Sequence, residues 1–200
     1  MRLEDRGKNL RRTLAADLQR YTGGDCRPWG LTFWRRVVGA VHAHPGVMAV
    51  IIYRYGQWTC YRCRVPVLRH LVGLHYQALF MWVRLHLQIE IPRTTAIDAG
   101  LRIDHFGGII VNSQVNAGRN LWLKPGVLIG QTDTGVPEFG DNVEIGVGAT
   151  VIGGVRIGDG ALIGARALVC RDVPKGAVVA GVPARVLRIR TSQSDEGSSM

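Results

Sequence analysis

Residues 143–148 read Val-Glu-Ile-Gly-Val-Gly and residues 155–160 read Val-Arg-Ile-Gly-Asp-Gly, two clear copies of a six-residue repeat that extends over residues 90–184. A period of six fits neither the 3.6 of a helix nor the 2 of an ordinary strand, so it indicates an internal repeat. Asp133 alone breaks the register. The other positions of the six-residue register are aliphatic or aromatic: Ile91, Ile97, Ile103, Ile109, Val115, Leu121, Val127, Phe139, Ile145, Val151, Ile157, Ile163 and Val169.

Each six-residue unit predicts one short strand followed by a corner. Gly, Asn and Asp are frequent between the register positions, and they suit corners where backbone angles are unusual. Three units would close one triangular coil of about 18 residues, with the register side chains pointing inward. The sequence therefore predicts a mainly β protein with an α-helical N-terminal region, in which the β part is a parallel β-helix of about five coils.

The segment before the repeat is helical in pattern. Apolar spacing predicts helices over residues 3–21, 31–43, 47–63 and 67–87, separated by Gly- and Pro-containing breaks. The last two are apolar around most of their circumference, which indicates burial between helices or at a subunit contact. We expect a helical domain over 1–89, a β-helix domain over 90–188 and a disordered, Ser-rich tail over 189–200.

The positive charge is concentrated in the helical region. The chain has a net charge of +10, and residues 1–90 hold 14 Lys or Arg against 5 Asp or Glu. No nucleic-acid-binding motif accompanies this charge, so nucleic-acid binding is disfavoured. A solvated basic surface that attracts an anionic cofactor or a membrane surface fits the pattern better.

The sequence gives no sign of export, of membrane insertion or of a bound metal. Residues 1–20 are charged throughout and lack the apolar centre of a secretory signal, so we expect a cytoplasmic protein. The run without Asp, Glu, Lys or Arg at 71–83 is too short for a transmembrane helix. Cys60-Tyr-Arg-Cys63, with His70 and His75, could be drawn as a zinc site, but one CxxC pair in a helix is a weak signal, and no metal is predicted.

Two motifs give the repeat a family resemblance. Residues 103–111 read Ile-Asp-His-Phe-Gly-Gly-Ile-Ile-Val, and residues 180–186 read Ala-Gly-Val-Pro-Ala-Arg-Val. With the repeat between them, residues 88–188 resemble the serine O-acetyltransferase family of hexapeptide-repeat, left-handed β-helix acyltransferases. The helices match more loosely, through Asp-Leu-Gln at 17–19 and Tyr-Arg-Tyr-Gly-Gln-Trp at 53–58, and their length is nearer that of short relatives associated with exopolysaccharide genes.

The resemblance implies a left-handed coil and an activity. The expected reaction is acetyl transfer from acetyl-CoA to L-serine, giving O-acetyl-L-serine and CoA in cysteine biosynthesis. Two other classes are weighed beside it. One is an O-acetyltransferase for a saccharide or another small hydroxyl compound. The other is a structural β-helix without catalysis, which the presence of His105, Asp104 and Glu90 disfavours.

Acetyl transfer to a hydroxyl needs a base, because an alcohol is a poor nucleophile at neutral pH. His105 lies two residues after a register position, and Gly107 and Gly108 would let a ligand approach the backbone. From spacing alone, His105 is equally acceptable as a general base and as a surface histidine on a corner. The family motif implies that it is the general base. It also implies that Glu90, fifteen positions earlier, orients that base, where the cysteine-pathway enzymes carry Asp. A solvent-facing carboxylate is the alternative for Glu90.

The resemblance also implies where the acceptor and acetyl-CoA bind. Asp104 and Asp25 would meet the ammonium group of an amino-acid acceptor. The Arg-His pair that meets the acceptor carboxylate in the family is absent, because Gly135 and Val136 precede Pro137 and residues 131–138 contain no Lys or Arg. A sugar, or a serine held by different cations, therefore stays open as the acceptor.

Acetyl-CoA is expected in a groove between neighbouring subunits, which implies a homotrimer or a dimer of trimers. Small residues would line the pantetheine arm, and a loop would form the wall of the groove. An arginine near the C-terminal end of the repeat would contact the phosphates. The alternative for this arginine is a solvated position at the basic C-terminal end of the β-helix. By resemblance these residues are Gly146, Val147, Gly148 and Ala165 for the arm, Gly130 and Thr132 for the wall, and Arg185 for the phosphates.

Overall fold

In the computed structural model the described residues are 10–22, 28–61 and 66–190, and they form a group of helices followed by coiled parallel strands. The predicted ligand Asp25, Cys63 of the CxxC pair and the predicted tail over 191–200 lie outside these residues. Within the described residues, no group of three or more His, Cys, Asp or Glu side chains is arranged to hold a metal ion.

Within the residues that the structure describes, four α-helices precede the coils, as the apolar spacing predicts. They are α1 (Leu10–Thr22), α2 (Leu31–Ala43), α3 (Gly46–Tyr61) and α4 (Pro66–Trp82). The fourth predicted helix, over residues 67–87, changes type in its last turn, because Val83–Leu87 forms a π-helical turn that ends at Gln88 with φ 54°. A π turn adds one residue to the ring closed by each hydrogen bond, and a change confined to one turn leaves the apolar spacing almost unaltered.

The strands form the three faces of a triangular prism. Face A has the order β1-β4-β7-β10-β13, face B has β2-β5-β8-β11, and face C has β3-β6-β9-β12-β14, with β15 added as an antiparallel edge. All other pairings are parallel, and face A shows five coils. The strands are β1 (Ile89–Glu90), β2 (Ala96–Ile97), β3 (Arg102–Ile103), β4 (Ile109–Val111), β5 (Asn116–Ala117), β6 (Trp122–Leu123), β7 (Leu128–Gly130), β8 (Glu138–Phe139), β9 (Glu144–Ile145), β10 (Thr150–Ile152), β11 (Arg156–Ile157), β12 (Leu162–Ile163), β13 (Leu168–Val169), β14 (Ala177–Gly181) and β15 (Ala184–Ile189).

The prism is filled by the register residues. All thirteen apolar members of the six-residue register are buried, and most of them are fully inaccessible to solvent. They belong to one continuous core that also includes residues of α3 and α4. The interior of the coils is therefore the interior that the period of six predicts.

The coils are not of equal length, and the expectation of a uniform 18 residues is wrong. Partners in adjacent coils are 20 residues apart between Ile97 and Ala117, 22 between Leu123 and Ile145, and 18 between Ile145 and Ile163. All three offsets are even. Because side chains alternate between the two sides of a strand, an even change keeps each inward residue inward.

The helices are held to the first coil by a buried ion pair between α1 and α3. Arg54 donates from Nε to Asp17 at 2.7 Å, and both side chains are almost completely buried. Arg54 also donates to the backbone oxygens of Ile97 and Asp98, at 2.8 and 2.7 Å. Asp17 accepts the backbone N–H groups of Gly100 and Leu101. One ion pair thus connects two helices with the first corner between faces B and C.

We expect Asp17→Asn to destabilise the protein by about 3–5 kcal/mol, because it leaves the Arg54 guanidinium buried without its counter-charge. The measurement is urea denaturation followed by circular dichroism. The matched control is Glu138→Gln, which breaks the exposed pair with Arg156 and should change stability by less than about 1 kcal/mol. Equal losses in the two variants would contradict the role given to the buried pair.

Candidate active site

The first corner between faces C and A, which carries His105, is wider than the corners stacked below it. Ile103 pairs with Leu123, and Val111 pairs with Ile129. The corner therefore takes eight positions in the first coil, from Ile103 to Val111, but six in the second coil, from Leu123 to Ile129. Gly108 stacks on Gly126 at the end of the corner. The first coil therefore has His105, Phe106 and Gly107 where the second coil has Pro125 alone.

The widened corner has a strained backbone that hydrogen bonds hold in place. His105 has φ 60°, a left-handed angle that residues other than glycine rarely adopt, and Gly107 and Gly108 are also at positive φ. Gly107 donates to the carbonyl of Leu87 at 2.9 Å and accepts from the N–H of Gly126 at 2.8 Å. The His105 ring is exposed and has no hydrogen-bond partner among the described residues. A fixed backbone thus presents a free imidazole to solvent.

The residues expected to line the pantetheine arm lie on the same edge of the prism as His105. Gly148 donates to the carbonyl of Pro125 at 2.8 Å, which places Gly146–Gly148 on the corner one coil below Pro125. Ala165 lies on the corner after that, beside Gly146. Val147 is 48% exposed on this edge. The structure therefore brings Gly146, Val147, Gly148 and Ala165 into line below the histidine.

Two of these corners stack closely at Gly126 and Gly148. A Cβ added to Gly126 would lie 3.2 Å from the Cα of Gly148, and both residues have positive φ. A larger residue at either position would be strained by its backbone angle and crowded by the next coil. At Gly126 and Gly148 the edge therefore presents backbone and not side chains.

Glu90 lies beside the same corner, on the outer side of face A. It lines a cleft of about 330 Å³ together with Met81, Arg84, Leu85, Gln88 and Gly108. Its carboxylate forms an ion pair with Arg84 at 3.2 Å, and both side chains are partly exposed. Among the described residues the carboxylate contacts that arginine and not the His105 ring. The structure thus places Glu90 beside the corner that carries His105, in a cleft whose lining includes Gly108 and not His105.

Asp104 is already bonded to neighbours within the chain. Its carboxylate accepts from Arg102 Nε at 2.9 Å and from the indole N–H of Trp122 at 2.7 Å. The guanidinium of Arg102 lies 4.5 Å from the Trp122 ring centre, and Lys124 Nζ lies 4.9 Å from it. Arg20 of α1 approaches the same ring at 5.8 Å. We call these five residues, Arg20, Arg102, Asp104, Trp122 and Lys124, the Trp122 cluster.

Positive charge exceeds negative charge in the Trp122 cluster. Asp104 pairs with Arg102, and Lys124 pairs with Glu144 at 2.5 Å. Arg20 donates to the backbone oxygen of Gly100 at 2.8 Å and forms no ion pair with the described residues. Burial lowers the pKa of Arg20, and the neighbouring Arg102 guanidinium lowers this pKa further. An anion bound here would relieve that repulsion.

The Trp122 cluster was not predicted from the sequence. One signal was available within the coils, because Arg102 and Asp104 alternate on the strand that leads to His105, and Trp122 and Lys124 follow after 20 residues. No local pattern places Arg20 there, since the contact joins α1 to the coils over about 100 positions of sequence.

The remaining predicted cofactor residues lie away from the His105 edge. Gly130 is the last residue of β7, so it lies on the edge of face A opposite the edge that carries Val147. Thr132 is exposed in the loop that follows, where its hydroxyl bonds with that of Thr134 at 2.8 Å. Arg185 is exposed on β15, at the far end of the prism. From strand spacing this end is about 24 Å along the axis from β3.

The chain is similar in sequence to proteins that are already known. A family model described as bacterial transferase hexapeptide (six repeats) matches residues 137–171. The chain is 32% identical over 148 residues to a serine acetyltransferase of Synechococcus elongatus, which covers 72% of this chain and 57% of the relative. It is 30% identical over 148 residues to a serine acetyltransferase of Helicobacter pylori strain J99, which covers 72% of this chain and 82% of that protein.

Solved structures share the fold. Serine acetyltransferase from Brucella abortus in complex with coenzyme A superposes with a TM-score of 0.72 at 23% identity, covering 94% of this chain and 72% of that one. The Neisseria gonorrhoeae enzyme in complex with serine gives a TM-score of 0.68 at 24% identity, covering 92% and 72%. The prediction of a left-handed β-helix with an N-terminal helical region is confirmed by this likeness. The chain spans little more than half the length of the Synechococcus relative.

The strand that leads to His105 is supported by α1 and α3. Tyr21 bonds through its hydroxyl to both the N–H and the carbonyl of Ile103. Gly46, at the start of α3, lies so close to this strand that an added Cβ would be 2.2 Å from the Ile103 oxygen. The position of the corner therefore depends on a glycine in the helical region.

We expect Gly46→Ala to lower the free energy of unfolding by about 1–3 kcal/mol, because the helix must move away from the strand that leads to His105. The matched control is Gly39→Ala in α2, where an added Cβ meets nothing within 4 Å and should raise stability by about 0.5–1 kcal/mol. Chemical denaturation of both variants is the measurement. A Gly46→Ala protein as stable as the unaltered chain would contradict the close approach.

Proposed function

The chain belongs to the serine acetyltransferase family, and on that premise we propose that it transfers the acetyl group of acetyl-CoA to the hydroxyl of L-serine. The products would be O-acetyl-L-serine and CoA, as expected for cysteine biosynthesis. The observation that carries this proposal is the free imidazole of His105 on a widened corner, in line with the small residues of the coils below.

His105 would act as the general base. One ring nitrogen takes the hydroxyl proton while the acceptor oxygen bonds to the carbonyl carbon of the thioester. The tetrahedral intermediate then collapses, the carbon–sulfur bond breaks, and the imidazolium returns its proton to the departing thiolate. Gly107 and Gly108 leave the space beside the ring free of side chains, so both substrates can approach it.

Glu90 is proposed to orient the imidazole and to stabilise its charged form. This requires the carboxylate to exchange its contact with Arg84 for one with His105. The Arg84–Glu90 pair is partly exposed, and such pairs contribute only about 0–1 kcal/mol. That cost is small enough for substrate binding in the cleft to offset.

The Trp122 cluster is proposed to recognise the charged ends of an amino-acid acceptor. Asp104, and Asp25 outside the described residues, would meet the ammonium group. Arg102 and Arg20 would meet the carboxylate, in place of the cations that residues 131–138 lack. Their excess positive charge supports this assignment, because a bound carboxylate would neutralise it.

Acetyl-CoA is proposed to lie along the His105 edge, with its pantetheine arm over Gly146, Val147, Gly148 and Ala165. A second subunit would complete the groove, so that Gly130 and Thr132 wall it and Arg185 meets the phosphates. Exposed apolar side chains beside the edge support a homotrimer, which a further association could double. They are Phe106, Ile110, Leu128 and Val147, at 57%, 46%, 37% and 48% exposure.

A saccharide acceptor is the second candidate. One observation favours it: the loop between β7 and β8, where the family's carboxylate-binding pair is expected, contains no cation and is closed by Thr132 and Thr134. A neutral hydroxyl compound needs no cationic partner. Thiol release from acetyl-CoA, measured with L-serine and with a panel of sugars, separates the two acceptors.

We expect His105→Ala to reduce acetyl transfer by about 10²- to 10⁴-fold, the usual contribution of a general base. The measurement is thiol release from acetyl-CoA with saturating acceptor. His42→Ala is the control, because it removes an exposed helical histidine that bonds only within α2. Turnover that survives the loss of His105 would remove the proposed base.

We expect Arg102→Met to raise the KM for L-serine by about 10- to 100-fold, the value of a charged hydrogen bond. The KM for acetyl-CoA and for L-serinamide, which has no carboxylate, should change little. Arg119→Met, which breaks an exposed pair with Asp141, is the control. A parallel rise for serine and serinamide would show that Arg102 acts by holding Asp104 and not by meeting the carboxylate.

A further inference from the structure

We propose that the outer face of α2 binds the surface of an anionic lipid bilayer. This outer face consists of Trp29, Leu31, Trp34 and Val38, which are 42%, 80%, 44% and 58% exposed. Leu31, Trp34 and Val38 follow helical spacing on one side of α2. The rings of Trp29 and Trp34 lie 5.7 Å apart and extend this apolar side past the start of the helix.

The outer face is not needed to fill the protein interior. Phe33, Val37 and Ala40 form the opposite side of α2 and are buried against Leu18 and Val47. The helix therefore has one apolar side in the core and a second in solvent. A contiguous exposed apolar patch of this kind marks a binding surface.

Charge around the outer face favours an anionic partner. Arg35 is exposed on α2 next to Trp34, and Arg11 and Arg12 are exposed on α1. Arg36 is also exposed, but it donates to the backbone oxygen of Thr22 in α1 at 3.0 Å. Across residues 10–22, 28–61 and 66–88 the one acidic residue is Asp17, which is buried in its pair with Arg54. No carboxylate of these helical residues therefore opposes a negatively charged surface. Phospholipid headgroups of anionic membranes present such a surface.

A second copy of the chain suits the outer face less well than a bilayer does. A symmetric contact would bring the same patch of two subunits together, with Arg35 near its counterpart and no described helical carboxylate to pair with it. Tryptophan side chains with adjacent arginines are typical of helices that lie in the headgroup region. The outer face combines both features.

The proposed contact is peripheral. No single described helix is long and apolar enough to cross a membrane, and α2 with residues 46–60 reaches that length only as a pair bent by 115°. α3 also buries Val47, Val50 and Tyr53 in the cores of the protein. Of α2 and α3, it is therefore the outer side of α2 that is offered to lipid. The proposal does not depend on which acceptor is acetylated.

The test is co-sedimentation of the full chain with vesicles. We expect binding to vesicles of phosphatidylcholine mixed with phosphatidylglycerol, little binding to phosphatidylcholine alone, and weakening at high salt. A blue shift of tryptophan fluorescence should accompany binding. Leu31→Ser combined with Trp34→Ser should lower partitioning by about tenfold or more, because two apolar anchors are lost.

The matched control is Leu71→Ser combined with Leu74→Ser, which removes two exposed leucines from α4 and should leave binding unchanged. Circular dichroism and thiol release show that each variant is folded and keeps its activity. Failure of the unaltered chain to bind anionic vesicles would overturn the proposal. So would equal binding by the Leu31→Ser, Trp34→Ser variant, or dissociation of an oligomer by that variant, which would assign the face to a second copy.

Discussion

The buried pair of Asp17 and Arg54 is the interaction on which the arrangement of helices and coils depends. Removing both charges from water costs several kcal/mol, which only complete hydrogen bonding offsets. Arg54 meets this condition with five donated bonds, to Asp17, Gln57 and two backbone oxygens of the first coil. The same coil continues into the corner of His105. Arg20 of α1, which we propose to contact the substrate, reaches the coils because this pair fixes where α1 lies.

The period of six was enough to predict the interior of the coils, because burial depends on which side of a strand a residue occupies. It could not predict coil length. Two additional residues at the His105 corner leave the inward pattern unchanged, so apolar spacing does not detect them. The π turn at Val83–Leu87 was missed for a related reason, since it alters one turn in a helix that is apolar on most sides.

The site was predictable in part. The motif around His105 led to the corner and to the residues below it, which the structure places on one edge. The ion pair of Glu90 with Arg84 and the place of Arg20 in the Trp122 cluster were not predictable, because both depend on contacts between the helices and the coils. Asp17-Leu-Gln and residues 53–58, quoted only as a loose likeness, contain the two partners of the buried pair. The loosely matching residues of the helices thus contribute the ion pair that connects the helices to the coils.

The even offsets between successive coils have an evolutionary consequence. A change of two residues in the length of a coil leaves the same side chains facing the core. A corner can therefore lengthen or shorten while the interior packs as before. The loop between β7 and β8 and the corner of His105 are both such enlargements. A scaffold of this kind can exchange one set of acceptor-binding groups for another by small insertions at its edges, without a compensating change in its core.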